Sequence, residues 1–134
     1  MFKKFILLFI VQLFIITPSI SKEKETTFNK KLFDKAQSEG KIVIVSSWIK
    51  YCSSCASQMK VLNKAMNDGK LLDIKFENIK YFSFDVTNKE IANLLNVKFQ
   101  TTLLIYKDNK EVYRSLGETT EDLIYEALKK VILS

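Results

Sequence analysis

Two cysteines are the residues of this sequence best suited to chemistry. Cys52 and Cys55 are its only cysteines in 134 residues, and two serines separate them. A bond between them closes so small a loop that it removes little entropy from the unfolded chain, and it stabilises a fold poorly. The same spacing suits reversible thiol–disulfide exchange, in which a thiolate attacks a disulfide sulfur. The pair therefore predicts redox chemistry rather than a structural link.

The sequence contains no histidine, which narrows the other chemistry open to it. Without histidine there can be no Ser-His-Asp or Cys-His mechanism and no mixed Cys/His zinc finger. Two thiolates could still bind Cu(I), or could share zinc or an iron–sulfur cluster with a second chain. A metal-binding module therefore remains an alternative to a redox enzyme, and a redox-inactive interaction domain is a third.

The composition is that of one small globular domain. Hydrophobic residues make up 47% and charged residues 27% of the chain, a balance that disordered sequences do not have. The net charge of +6 is spread along the sequence, without a run of five like charges. This pattern indicates a solvated basic surface and does not favour a nucleic-acid partner.

The first residues have the layout of a secretory signal peptide. Two lysines are followed by an apolar run over Phe5–Ile16, and small residues at Ser19 and Ser21 suit cleavage after Ser21. The run is shorter than the ~20 residues that comfortably span a bilayer, so cleavage is favoured over an uncleaved membrane anchor. We therefore expect a leader over 1–21, a linker over 22–27 and a domain over 28–134, outside the cytoplasm and, in a bacterium, in the periplasm.

A buried strand and a helix flank the cysteine pair. The β-branched run Ile42–Val45 predicts a strand over Lys41–Trp48 that is buried on both faces. A helix is predicted over Ala56–Asn67. Cys52 then lies at the start of a helix, where unpaired N–H groups and the helix dipole favour a thiolate. Lys50 would add positive potential there.

The rest of the chain continues an alternation of helices and strands, which indicates one α/β domain with a sheet covered on both faces. Residues 71–78 are ambiguous and are left as a connector. The apolar faces of three helices are predicted to be Phe28, Leu32 and Ala36; Met59, Leu62 and Met66; and Leu123, Ile124, Ala127, Leu128 and Val131. The other predicted elements are a helix over Phe28–Ser38 capped by Thr27, a strand over Tyr81–Val86, a helix capped by Thr87 or Asn88, strands over Thr102–Tyr106 and Glu111–Leu116 joined by a turn at Lys107–Lys110, and a last helix capped by Thr119 or Thr120.

The segments around and after the cysteines resemble the thioredoxin superfamily. The resemblance is carried by Val43–Cys55, Phe84–Thr87, Leu94–Val97 and Thr102–Asp108, and it spans about residues 28–132. "D-V-T-N" followed by "L-L-N-V" is most similar to the C-terminal periplasmic domain of the membrane electron transporter DsbD. The resemblance implies a thioredoxin fold, with a central mixed four-stranded sheet and helices on both faces.

The resemblance also implies an activity, that of a thiol–disulfide oxidoreductase. Cys52 would be the nucleophile and Cys55 the resolving cysteine, with no cofactor. The implied partners are disulfide-containing exported proteins and a membrane thiol electron donor of the DsbD type, and the chain is expected to be a monomer. The strongest oxidants of the family carry a histidine between the cysteines, so its absence favours a reductant or a carrier of intermediate potential.

Three positions depart from the family pattern. The family's cis-proline is replaced by Thr101, and because a non-proline cis bond costs ~2.5–4 kcal/mol, we expect a trans bond between Gln100 and Thr101. Gln100 and Thr101 are candidate substrate contacts, as is Tyr51, which replaces a tryptophan. Ser46 replaces a buried aspartate and cannot act as a base at neutral pH. Trp48 is expected to pack in the core.

Overall fold

A computed structural model describes residues 25–67 and 78–134 of the chain. No helix within these residues is long and apolar enough to cross a bilayer. The predicted leader lies outside them, as do the first residues of the predicted linker and most of the 71–78 connector. The described elements, in chain order, are α1 (Lys30–Ser38), β1 (Ile42–Trp48), α2 (Ser53–Asn67), β2 (Ile79–Asp85), α3 (Lys89–Leu94), β3 (Thr102–Lys107), β4 (Lys110–Leu116) and α4 (Glu121–Ile132).

The four strands form one mixed sheet in the order β2-β1-β3-β4. β1 pairs in parallel with β2 and antiparallel with β3, and β3 pairs antiparallel with β4. β1 is therefore an inner strand, which explains its β-branched run. The β3–β4 turn has positive φ at Asp108 and Asn109, as a two-residue type I′ hairpin requires, so the predicted hairpin is confirmed.

Helices cover both faces of the sheet, as the sequence predicts. One face, here called the aromatic face, packs under α1 and α3, and the other, here called the site face, packs under α2 and α4. The side chains of β1 alternate between them, with Val43 and Val45 on the aromatic face and Ile44 on the site face. The aromatic face includes Phe28, Phe33, Phe82, Phe84, Ala92, Leu95 and Leu104, and the site face includes Leu62, Ala65, Leu103, Ile105, Ile124, Leu128 and Val131.

The start of the domain differs from the prediction. Asn29, not Thr27, caps α1, because its side chain accepts a hydrogen bond from the N–H of Leu32 at 3.1 Å. Thr27 instead pairs with Ser83 on the outer side of β2: its N–H donates to the Ser83 carbonyl at 2.8 Å, and its hydroxyl accepts from the Ser83 N–H at 2.9 Å. This segment covers part of the edge of β2.

Several apolar faces are rotated from the predicted positions. Leu32 and Leu123 are about half exposed, at 47% and 49%, whereas Phe33 is buried in α1. The two predicted methionines of α2 are only partly buried. Leu62 is buried as predicted, and α2 also buries Cys55, Gln58 and Ala65.

Candidate active site

The two cysteines form a disulfide at the start of α2. Their Cα atoms are 5.3 Å apart, and the helix begins at the next residue after Cys52. The N–H of Cys55 donates to the sulfur of Cys52 at 3.2 Å, and the N–H of Ala56 donates to the Cys52 carbonyl at 3.2 Å. The Cys52 sulfur therefore takes the place of a helix-capping oxygen, where hydrogen bonds and the helix dipole stabilise negative charge.

The two sulfurs differ in their access to solvent. Cys55 is completely buried, whereas Cys52 is partly exposed. A partner molecule therefore cannot reach the Cys55 sulfur, and Cys52 is the member of the pair that is open to solvent. This asymmetry is what a two-step exchange needs, with one sulfur meeting the substrate and the other acting only within the protein.

Thr101 brings a hydroxyl group against the disulfide. Its Oγ1 lies 3.2 Å from the sulfur of Cys55 and 3.7 Å from the sulfur of Cys52. The loop is fixed by backbone hydrogen bonds, from the N–H of Thr101 to the carbonyl of Ser47 at 2.8 Å and from the N–H of Gly117 to the carbonyl of Thr101 at 2.9 Å. No described peptide bond is cis, and Thr101 has a φ of 59°. The Gln100–Thr101 bond is therefore trans, as expected, and the left-handed conformation of Thr101 is one that β-branched residues rarely adopt.

Gln58 is a residue of this site that the sequence reasoning missed. It is completely buried on α2, and its amide donates to the carbonyl of Thr101 at 3.3 Å and to that of Glu118 at 2.9 Å. It thus ties the helix that carries the disulfide to the loops before β3 and after β4. Gln58 lies three residues after Cys55 and therefore on the same, buried face of the helix. A polar residue at a predicted core position is the feature of the sequence that could have indicated its role.

Three predicted site residues lie at the surface near the pair. Tyr51 is 91% exposed with a φ of 62°, and Gln100 is exposed beside Thr101. The ammonium of Lys50 lies 5.0 Å from the centre of the Tyr51 ring, a cation–π geometry. The structure brings Tyr51, Thr101 and Gln100 to the same end of the domain as the disulfide. Their roles toward a substrate, and that of Lys50 toward the cysteine, stay predictions.

Comparison with known proteins agrees with this geometry. The family model described as Thioredoxin matches residues 19–130. The chain belongs to the thioredoxin family. A curated relative, "Thioredoxin H-type" of Fagopyrum esculentum, is 26% identical over 100 residues, which are 74% of this chain and 79% of the relative.

Solved structures of the family have the same fold. Trxlp from Edwardsiella tarda EIB202 has a TM-score of 0.67 at 24% identity, with 75% of this chain and 94% of that chain covered. Malassezia sympodialis thioredoxin has a TM-score of 0.62 at 16% identity, with coverage of 76% and 87%. The predicted thioredoxin fold is confirmed. With the disulfide between Cys52 and Cys55, membership of the family makes this chain a thiol–disulfide oxidoreductase.

Ser46, at the position of the family's buried aspartate, is itself completely buried and bonded to another neutral group. Its hydroxyl lies 2.7 Å from the phenol oxygen of Tyr81. Burial raises the pKa of Tyr81 to about 12, and the hydrogen bond with Ser46 acts in the opposite direction. Neither hydroxyl is a base at neutral pH. Trp48 is 8% exposed, in agreement with the expected core packing.

The described residues give no sign of a metal centre. No group of three or more Cys, Asp or Glu side chains is close enough to hold a metal ion in the part of the chain that the structure describes. A site with three or more such ligands would then need a second chain, or ligands outside those residues. The thiolates of Cys52 and Cys55 could bind Cu(I) without either.

Proposed function

We propose that this protein is an exported thiol–disulfide oxidoreductase that exchanges disulfides with periplasmic proteins and acts as a reductant. The observation that carries the proposal is the asymmetry of the pair, with Cys52 partly exposed as the cap of α2 and Cys55 completely buried. Cys52 is the nucleophile and Cys55 the resolving cysteine.

The reaction transfers two electrons from the protein to a substrate disulfide. The Cys52 thiolate attacks one substrate sulfur, the other leaves as a thiolate, and a mixed disulfide forms. Cys55 then loses its proton and attacks Cys52, which releases the second substrate sulfur and regenerates the disulfide of the protein. The N–H of Cys55, 3.2 Å from the Cys52 sulfur, stabilises the thiolate in the first step.

The reducing direction is supported by the residues between the cysteines. Ser53 and Ser54 carry no charge, and a histidine at this place would stabilise the reduced form and make a stronger oxidant. A reductant needs an electron source, and we propose a membrane thiol carrier of the DsbD type, on the resemblance of "D-V-T-N" and "L-L-N-V" to the C-terminal domain of that transporter. Export is supported by the signal-peptide pattern over 1–21.

Tyr51, Gln100 and Thr101 are proposed to contact the substrate. Tyr51 and Gln100 are exposed next to residues that touch the disulfide, and an exposed aromatic ring supplies contact area at a low cost in conformational entropy. Lys50, with its ammonium over the Tyr51 ring, adds positive potential close to the attacking sulfur.

A redox titration of the Cys52–Cys55 couple against glutathione tests the proposal. We expect a reduction potential near thioredoxin's value of about −270 mV, whereas a potential near about −120 mV would show an oxidant. Insulin reduction by the wild type, lost in Cys52→Ser, is the companion assay. In the reduced protein, iodoacetamide should modify Cys52 well before the buried Cys55, and equal labelling would contradict the assignment of roles.

A further inference from the structure

The buried sulfur of Cys55 is joined to the surface by two hydroxyl groups. Thr101 Oγ1, 3.2 Å away, is the only side-chain group that hydrogen-bonds to this sulfur among residues 25–67 and 78–134. The same oxygen lies 3.1 Å from Oγ of Ser54. Thr101 is 4% exposed, whereas Ser54 is exposed to solvent. The three groups form one continuous path from a buried sulfur to water.

The chemistry of the oxidised pair fixes the direction of one of these hydrogen bonds. A disulfide sulfur carries no hydrogen, so Thr101 must be the donor to Cys55. Its oxygen is then available to accept from Ser54, which also lies 3.3 Å from the sulfur of Cys52. In the reduced protein the thiol of Cys55 can donate in turn, and the same chain then runs in the opposite direction.

We propose that Thr101 and Ser54 are a two-hydroxyl proton relay for Cys55, an inference that rests on the resolving role given to Cys55 above. When Cys55 attacks the mixed disulfide, its thiol proton passes to Thr101 Oγ1, the proton of Thr101 passes to Ser54 Oγ, and the proton of Ser54 passes to water. Both hydroxyl groups end neutral. The electron pair of the Cys55–H bond forms the new S–S bond, and the substrate sulfur leaves as a thiolate.

Ser46, at the position of the family's buried aspartate, does not supply a proton acceptor for Cys55. Ser46 and Tyr81 are hydrogen-bonded to each other at 2.7 Å, and both are neutral at physiological pH. Gln58 holds the carbonyl of Thr101 through its amide, and an amide does not take up protons in this pH range. Thr101 thus occupies the place of a proline, which has no hydroxyl. Within the described residues, its hydroxyl is the side-chain group that is hydrogen-bonded to Cys55 and can exchange a proton with it.

The relay can be tested with reduced, full-length protein and Ellman's reagent in stopped flow. Attack by Cys52 releases a first equivalent of thionitrobenzoate, and attack by Cys55 on the resulting mixed disulfide releases a second. Thr101→Val removes the hydroxyl and keeps the β-branched shape, and we expect it to slow the second phase about tenfold or more. Ser54→Ala should slow it by about threefold, because water can partly replace an exposed serine.

Two matched variants separate a lost hydroxyl from a disturbed structure. Thr101→Ser restores the hydroxyl and should return the second phase to within about twofold of the wild type. Ser57→Ala removes an exposed serine of the same helix that makes no hydrogen bond to either sulfur, and it should leave both phases unchanged. In Thr101→Val and Ser54→Ala, the first phase should slow less than the second.

The outcomes discriminate between the relay and the proposed function. A folded Thr101→Val with an unchanged second phase, or a Thr101→Ser as slow as Thr101→Val, overturns the relay and leaves the proposed function intact. If Thr101→Val does not fold, Ser54→Ala decides, and an unchanged second phase in that variant overturns the relay. A wild type that releases only one equivalent contradicts the resolving role of Cys55, and the proposed function fails with the relay.

Discussion

The two faces of the sheet are built from different residues and serve different purposes. On the aromatic face, the ring of Phe28 packs 5.3 Å from that of Phe33 and 5.8 Å from that of Phe82, and Phe33 meets Tyr106 edge-on at 5.0 Å. On the site face, α2 carries the disulfide and the buried amide of Gln58. The rest of this face is a core of mainly aliphatic side chains from α2, α4 and the strands.

The difference shows how the domain separates stability from chemistry. Aromatic rings bury large apolar areas and contribute strongly to the stability of a core, so their face holds the sheet together. On the site face, a polar side chain, Gln58, occupies a core position, and its hydrogen bond fixes the loop at Thr101. Substitutions on the aromatic face should therefore change the free energy of unfolding, whereas substitutions around the disulfide should change the rate of exchange.

The largest expected effect on stability is at Phe82, which is 1% exposed. Phe82→Ala should lower the free energy of unfolding by about 3–5 kcal/mol, because it leaves a cavity among the rings. The reduction potential of the folded protein should not change. Leu94→Ala, at a half-exposed leucine of α3, is the control and should cost within about 0.5 kcal/mol. Chemical denaturation measures both, with Phe82→Leu as a milder variant if Phe82→Ala does not fold.

Alkaline pH tests both faces together, because a partly buried tyrosine packs against each of them. Burial raises the pKa of Tyr81, on the site face, and of Tyr106, on the aromatic face, to about 12 from 10.0. Each phenol contributes stability that is fully present below pH 10 and is lost as the pH rises toward 12. The free energy of unfolding should fall by about 1.4 kcal/mol per pH unit for Tyr81 in this range, and by less for Tyr106, because its partly exposed phenol is screened by solvent.

Single substitutions divide this alkaline loss between the faces. Tyr81→Phe should remove the larger part of the slope and Tyr106→Phe a smaller part. Denaturation at several pH values between 10.0 and about 12 measures both. A variant with the same slope as the wild type would contradict the assigned pKa of that tyrosine.

Gln58→Leu should have the opposite effect to Phe82→Ala, with a small change in stability and a large change in the rate of exchange. It removes the hydrogen bonds to the carbonyls of Thr101 and Glu118, but it also removes a buried amide oxygen, Oε1, that has no partner within the described residues. The free energy of unfolding should therefore fall by only about 1 kcal/mol. The rate of disulfide exchange should fall by about tenfold, because the loop at Thr101 loses its tie to α2. Lys60→Ala, an exposed position on the same helix, is the control, and an unchanged rate in Gln58→Leu would contradict the positioning role.

The smallest expected effect is at the cap of α1. Asn29→Ala removes the acceptor for the N–H of Leu32 and should lower the free energy of unfolding by about 1 kcal/mol. Asn93→Ala on α3, where the side chain makes no hydrogen bond within the described residues, should change it by less than about 0.5 kcal/mol. Equal effects of the two substitutions would show that Asn29 does not act as a cap.

Element order, the strands of the sheet and the chemistry at Cys52 and Cys55 could be predicted because they depend on local patterns. A β-branched run, a turn with Asp108 and Asn109, and cysteines at a strand–helix junction each carry their own signal. The error at the cap of α1 lies where two local signals compete. Asn29 and Thr27 are both good caps, and the choice depends on Thr27 pairing with Ser83 of β2, a contact 56 residues away.

The amino-acid sequence by itself determined the redox pair, the lack of a histidine and the replacement of a proline by Thr101. Only the tertiary structure decided which sulfur is buried, and that the hydroxyl of Thr101 lies against it. Cys55 and Thr101 are 46 residues apart, on elements that meet only because β1 and β3 are neighbours in the sheet. Local propensity cannot encode such a distance, since it is set by the packing of α2 on the strands.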